Sequence, residues 1–202
     1  MPKIIRGIEQ GSPEWHALRL GSLGGLSLNA VLSKGQGKTR QALLYQLAAE
    51  ILSGEKTETY TNQAMLDGAA LEAEAREYYS FITGHEVEQV TLIKADIDRV
   101  HNSPDGLIGD DGGIEIKCPL PTTHIETIDT GKIDLKYIRQ CQQFLWVSKR
   151  AYVDFISYCP KIKVKPMWVK RITPDAGIQK QIETELPLFL RELAELVERV
   201  KG

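Results

Sequence analysis

The stretch Ser103-Pro104-Asp105-Gly106-Leu107-Ile108-Gly109-Asp110-Asp111-Gly112-Gly113-Ile114-Glu115-Ile116-Lys117-Cys118-Pro119 sets the reading of the whole chain. Its middle, Asp110 to Gly113, is a hairpin-type turn, because Asp and Gly tolerate the backbone angles that tight turns require. A strand over residues 99–109 therefore folds back against a short strand over 114–118, which Pro119 and Pro121 end. Side chains alternate along a strand, so Ile114 and Ile116 turn to one face and Glu115 and Lys117 to the other. The isoleucines are expected in the core. The acid and the lysine are expected side by side on the strand's exposed face.

Working outward, a strand over 86–95 joins these two through a turn near Asp96–Arg99, giving a three-strand meander. Upstream the pattern is helical. Ser12-Pro13-Glu14 starts a short helix that ends at Gly21, residues 26–32 make another, and Thr39 caps a helix that Gly54 stops. A helix over 62–83 is stopped by Gly84. Downstream come a helical stretch near 123–129, a firmer helix over 134–148, strands over 152–159 and 167–173, and an amphipathic helix from Pro174 to about residue 200. This order gives an α/β class, a mixed sheet flanked by helices. It lacks the regular alternation and glycine-rich turn of a dinucleotide fold. No linker divides the chain. One domain is expected, with a helical part at 1–84, a sheet core at 85–173 and a C-terminal helix at 174–202.

Composition narrows the classes. The 202 residues are 42% hydrophobic and 26% charged, enough to build a core without staples. No apolar run reaches the ~18 residues a membrane helix needs, and residues 1–10 do not lead into a secretion signal. Cys118, Cys141 and Cys159 form no metal-binding pair, which suggests reduced thiols in an intracellular protein. The net charge of −2 does not announce a nucleic-acid binder. Yet basic residues cluster, in the first 50 positions and at Lys161, Lys163, Lys165, Lys170 and Arg171. Such runs are either solvated faces or a groove for phosphates.

The hairpin carries the chemistry. The turn brings Asp105 and Glu115 within the ~4–5 Å at which two carboxylates share one hard cation. Mg²⁺ on two acids lowers the pKa of a bound water and neutralises the charge gained by a phosphodiester under attack. A lysine beside it can orient that water and stabilise the transition state. Glu72, on the upstream helix, is a third acid. Its stripe holds Met65, Ala69 and Arg76, and the bland alternative is a surface ion pair with Arg76.

Pro104-Asp105 followed by Glu115-Ile116-Lys117 resembles the PD-(D/E)XK nucleases. The longer string, Ser103 to Leu107 and then Glu115 to Pro119, resembles the bacteriophage lambda exonuclease branch, the YqaJ-type viral recombinase nucleases. Three further motifs are similar to that branch in the same order: Trp15 to Gly21, Gly68 to Arg76, and Gln140 to Val147. The resemblance implies a restriction-endonuclease-like core with helical N-terminal decoration. It implies that Asp105, Glu115 and the Ile116 carbonyl ligate Mg²⁺, for which Mn²⁺ substitutes. Glu72 would help hold a second ion, and Lys117 would act on the attacking water. It implies a seat for a DNA 5′-phosphate made by Arg19, Ser103, Gln140 and Ser27, with Ser22 the alternative serine and Gln142 a secondary candidate. Arg19 could equally be a cation satisfying a helix C-terminus.

The activity so implied is processive 5′-to-3′ digestion of double-stranded DNA to mononucleotides, leaving a 3′ overhang. A homotrimeric ring, a single-strand annealing recombinase as partner, and the cytoplasm of a bacterial or phage-infected cell are implied with it. A ring would hold a chain of net charge −2 on a polyanion by topology. A restriction-type endonuclease and a catalytically silent DNA-end-binding module are the rival readings. The four histidines, 16, 85, 101 and 124, lack ligand spacing and read as structural, and Trp15 and Trp146 read as core. The loop Lys34-Gly35-Gln36-Gly37-Lys38 lacks the spacing of a nucleotide-binding loop and is expected to touch the DNA backbone.

Overall fold

Short, strongly patterned segments dictate the architecture. The computed structural model describes residues 1–33, 37–57 and 63–202, the side chains of 63–69 excepted. In chain order it runs β1 (Lys3–Ile5), α1 (Pro13–Arg19), a 3₁₀ turn (Gly25–Ser27), α2 (Leu28–Val31), α3 (Lys38–Ser53) and α4 (Gln63–Thr83). Then follow β2 (Val87–Glu88), β3 (Leu92–Lys94), β4 (His101–Asn102), β5 (Gly106–Ile108), β6 (Gly112–Lys117), α5 (Pro121–Thr130), α6 (Leu135–Ser148), β7 (Tyr152–Tyr158), β8 (Met167–Ile172) and α7 (Ala176–Lys201). No described helix is long and apolar enough to cross a membrane.

The main sheet has the order β2-β5-β6-β7-β8. Its pairs are antiparallel except β6 with β7, which are parallel. A parallel pair needs a crossover, and α5 and α6 supply it. A second sheet, β1-β3-β4, is antiparallel throughout. This is the mixed α/β class expected.

The meander is where expectation and structure part. Residues 86–95 and 99–109 do not form two continuous strands. Each is broken, and its halves serve different sheets. Ser103-Pro104 interrupts the second, since proline has no N–H to give a ladder. The first is diverted by the N-terminal segment. Thr91 N donates to the Ile5 carbonyl at 2.9 Å, and its hydroxyl donates to the Ile8 carbonyl at 2.8 Å. The three-residue β1 was too short to be read from its pattern.

Capping follows the sequence with two corrections. Ser12 accepts from Trp15 N at 3.2 Å ahead of Pro13, and Gly54 and Gly84 end their helices at positive φ. Thr39, however, lies inside α3, whose N-cap is Gly37. The last helix begins after Pro174, where Asp175 accepts from Ile178 N at 2.8 Å. Of the Lys34–Lys38 loop, residues 34–36 lie outside the described residues, as does residue 62.

Two apolar clusters sandwich the sheet. On one face Ile114 and Ile116 are fully buried against Ala75 and Tyr79 of α4, together with Ile156 and Tyr158. On the other, α6 inserts Phe144, Leu145 and Val147, and α7 adds the helical stripe Ile182, Leu186, Phe189 and Leu193. The close fit of α6 needs Gly113, because a Cβ there would lie 2.3 Å from Phe144 Cζ. Gly113→Ala should therefore destabilise the fold by about 1–3 kcal/mol. Urea unfolding checks this, and adding Phe144→Leu should recover part of the loss.

Candidate active site

The β5–β6 hairpin builds the site. Its register pairs Gly106 with Ile114, so one further step places Asp105 opposite Glu115. Asp105 is locked from both sides. Its Oδ2 accepts from Ile116 N at 2.6 Å, and its carbonyl accepts from Arg76 Nε of α4 at 2.8 Å. Lys117 Nζ donates to Glu115 Oε1 at 2.5 Å, and the same ammonium stands 5.2 Å from the centre of the Tyr137 ring.

Glu115 does not lie on an exposed face. It is only 2% exposed, while Lys117 is half-buried. Gly113, Glu115 and Lys117 point to one side of β6, and Phe144 over Gly113 brings α6 down on that side. Helical cover was foreseen for the chain but not for this face. Glu72 is half-buried on α4. Arg76 forms no ion pair with it among the described contacts; its Nε donates to the Asp105 carbonyl. Glu74, on another face of α4, accepts from Tyr158 OH at 2.7 Å. The side chains of Met65 and Ala69 lie outside the described residues.

The charges strain against one another. Burial pushes the Glu115 carboxyl well above the carboxylate range, Lys117 pulls it back, and the charges of Asp105 and Glu72 add to the rise. Burial raises Asp105 as well, against Lys117, the hydrogen bond from Ile116 and Arg76. Glu72 is raised by burial and by Asp105, against Lys117 and Arg76. Burial alone would lower Lys117, but Glu115, Asp105 and Glu72 outweigh it and hold its proton tightly. Three carboxylates thus share an ammonium and a guanidinium already bonded to backbone. Their unspent negative field suits a hard divalent cation. Among the described residues no group of three His, Cys, Asp or Glu side chains is arranged to hold a metal ion; Asp105 and Glu115 are a facing pair of acids, with Glu72 near enough for its charge to act on Glu115. Burial and the nearby acids push the Cys118 thiol up to about 12.

A separate cavity of about 210 Å³ gathers Arg19, Ser22, Ser27, Ser103 and Gln140, with Lys56, His101 and Asn102. Arg19 stacks 3.8 Å over the Trp15 ring and donates from Nε to His101 Nε2 at 3.0 Å. Ser103 Oγ, Gln140 Oε1 and Asn102 Oδ1 are buried here without a partner among the described residues, an unusual condition for native polar atoms. Burial and Arg19 lower the Lys56 ammonium. Sequence reading passed over Lys56, a lone lysine in a polar loop, and set His101 aside for want of ligand spacing. Neither carries a local signal, because only the tertiary fold brings them to Arg19.

Gln142 is placed elsewhere. It is buried, donates to the Thr173 carbonyl at 2.8 Å and accepts from Asp175 N at 2.9 Å. Its work is to anchor the start of α7. His124 matches its structural reading: it is fully buried, with Nδ1 at 2.8 Å from Ser157 Oγ and Nε2 at 2.9 Å from the Lys165 carbonyl. Lys161, Lys163 and Lys165 are exposed on the β7–β8 connection. A cavity of about 800 Å³ between α2, α3, α6 and α7 contains none of the candidate residues. Two of the charges that line it, Arg40 and Glu192, pair with each other at 2.7 Å.

The family profile described as YqaJ-like viral recombinase domain matches residues 14–151. Two crystal structures of LHK-Exo, an alkaline exonuclease from Laribacter hongkongensis, one in complex with dAMP, are similar to the chain. Each shows a TM-score of 0.88 and 38% sequence identity over 94% of this chain and 96% of the other. A phage-related exonuclease from Haemophilus somnus 129PT gives a TM-score of 0.66 at 14% identity, over 91% of this chain and 98% of its own, which bears on the fold alone. No curated protein sequence matches. The mixed sheet with its flanking helices is the PD-(D/E)XK type of core.

Proposed function

The chain belongs to the YqaJ-like viral recombinase domain family, and from that premise we propose that it is a divalent-metal-dependent exonuclease that degrades one strand of duplex DNA from its 5′ end. One observation carries the chemistry: Asp105 and Glu115 face each other across β5–β6, and Lys117 is bonded to Glu115. Asp105, Glu115 and the Ile116 carbonyl would hold Mg²⁺ or Mn²⁺, and Glu72 would help hold a second ion. When bound, the ion lowers the pKa of the attacking water and takes up charge from the phosphate. Lys117 keeps its proton in the field of the three acids. It therefore acts as a fixed cation that orients the water and stabilises developing charge, not as a base. Arg76 keeps Asp105 in place through its backbone.

The neighbouring cavity would seat the 5′-phosphate. Arg19 supplies charge, and Ser103 and Gln140 offer polar groups that lack partners among the described residues. Ser22 is engaged by His101 at 2.8 Å, which favours Ser27 as the contributing serine. Ser103 precedes Asp105 by two residues, so a seated end lies beside the carboxylates. The products are 5′-mononucleotides and a 3′ overhang, and the dAMP bound to LHK-Exo, a nucleoside monophosphate, supports that product class. Digestion is processive. A homotrimeric ring would retain a chain of net charge −2 on DNA. The overhang would pass to a single-strand annealing protein in the cytoplasm of a bacterial or phage-infected cell. Residues 1–202 act as one nuclease domain, helical over 1–84, with the sheet core at 85–173 and the terminal helix at 174–202.

A time course with Mg²⁺ on end-labelled linear duplex and on covalently closed circular duplex tests this reading. Labelled mononucleotide should leave the 5′ end first, and the circle should stay intact. Cleavage of the circle would assign a restriction-type endonuclease instead. Lys117→Ala should still bind DNA but lose hydrolysis by about 10²–10³-fold; a wild type inert with every divalent metal would leave only an end-binding module. Arg19→Ala should abolish the preference for 5′-phosphorylated over 5′-hydroxyl ends. Equal loss on both would give Arg19 a structural role.

The raised carboxyl of Glu115 adds a pH signature. In the metal-free protein a proton occupies that carboxyl at pH values where an ordinary glutamate is ionised. Metal binding must displace it, so affinity climbs with pH and binding releases protons. Titration with Mn²⁺ between about pH 6 and about pH 9 should show the rise, and Glu115→Gln should flatten it. A wild-type affinity constant across that range contradicts the assignment.

A further inference from the structure

We infer that His101 is a positioning residue, a neutral acceptor that aims Arg19 into the end-binding cavity without cancelling its charge. The inference rests on the reading above, that Arg19 takes the 5′-phosphate.

Arginine Nε–H can only donate. The 3.0 Å bond from Arg19 Nε therefore requires a bare nitrogen at His101 Nε2. A neutral ring then carries its hydrogen on Nδ1, which donates to Ser22 Oγ at 2.8 Å. The three side chains form one directed chain: Arg19 gives to His101, and His101 gives to Ser22. Both backbone groups of His101 are also held. Its N–H donates to the Leu23 carbonyl at 3.0 Å, and its carbonyl accepts from Gln143 Nε2 at 3.1 Å. The ring is 2% exposed, and burial with Arg19 beside it keeps it neutral, its pKa lowered to about 3.

Trp15 fixes the plane of the guanidinium from one side, 3.8 Å away. Gly24 lies close to both partners: a Cβ there would stand 3.3 Å from His101 Nε2 and 3.7 Å from Arg19 Nη2. With Nε spoken for, the two terminal nitrogens are left to fork onto an anion. The choice of acceptor matters. A carboxylate in this place would orient Arg19 equally well but would neutralise it. The nearby Glu50 carboxylate accepts instead from Gly21 N at 3.0 Å and Gln46 Nε2 at 3.1 Å. Imidazole supplies direction and leaves the positive charge for the phosphate.

The test is the ratio of digestion rates on 5′-phosphorylated and 5′-hydroxyl linear duplex, in which any general loss of activity cancels. His101→Ala should lower this ratio by roughly tenfold or more. His101→Gln, whose amide oxygen can accept from Arg19, should keep it within about threefold of wild type. Arg19→Ala runs alongside. If it loses the preference while His101→Ala retains it, the phosphate reading stands and the positioning role is wrong. If Arg19→Ala retains the preference, the phosphate reading falls and this inference falls with it. Should His101→Ala fail to fold, side-chain ¹⁵N–¹H correlation spectra of the wild type decide: Nε2 of His101 must be the unprotonated nitrogen, and a hydrogen found there overturns the proposal.

Discussion

A carboxylate that is almost wholly removed from water, with a lysine as its nearest counter-charge, is the constraint around which this molecule is arranged. Isolated, such a group is costly to bury, and the cost is offset only by close, directional partners. Glu115 has Lys117 on its own strand, and Asp105 opposite it adds repulsion where attraction would be expected. A protein selected for stability alone would have no reason to set two acids against each other here. The surrounding fold holds them there. Ile114 and Ile116 pin β6 from beneath, α6 closes over it at Gly113, and Arg76 grips Asp105 through its carbonyl. The repulsion between the acids, relieved by a proton on Glu115 while no cation is bound, is what a hard cation would relieve instead, and it supports the proposed metal site.

How much of this could be read from residues alone depends on the range of the interaction. The alternation Ile114-Glu115-Ile116-Lys117 and the turn before it are local, and β6 and its pairing with β5 follow from them. The stripe of α7 and the stops at Gly54 and Gly84 are equally local. The burial of Glu115 depends on α6, which begins twenty residues downstream at Leu135, and strand periodicity says nothing about which face that helix covers. Gln142 shows the same limit from the other side. Its position two residues from Gln140 correctly separates the two, yet only the structure shows that it serves α7. Lys56 and His101 have no motif at all.

Electrostatics explains how a chain with net charge −2 can be adapted to a polyanion. Three of its acids, Glu72, Asp105 and Glu115, act on one another where a cation would neutralise them, and Arg19 and Lys56 stand in the cavity proposed for the phosphate. Lys56 and Arg19 line one cavity and push against each other. Lys161, Lys163 and Lys165 stand exposed on the β7–β8 connection. Net charge therefore says little about such a protein, and the separation of charge between neighbouring sites says more.

That separation is produced by the break that the strand pattern hid. A continuous strand over residues 99–109 would have alternated His101, Ser103 and Asp105 along one face of one sheet. Instead the chain leaves β4 in the small sheet, passes Ser103-Pro104, and enters β5 in the large one. His101, Asn102 and Ser103 consequently line the cavity that holds Arg19, while Asp105, two residues on, faces Glu115. Five consecutive residues thus span both sites, and the proline between them fixes their relative placement. A lengthened or straightened junction would leave each site intact and spoil their spacing. The irregularity that defeats a strand prediction is, on this reading, what ties recognition of a DNA end to the place where it is cut.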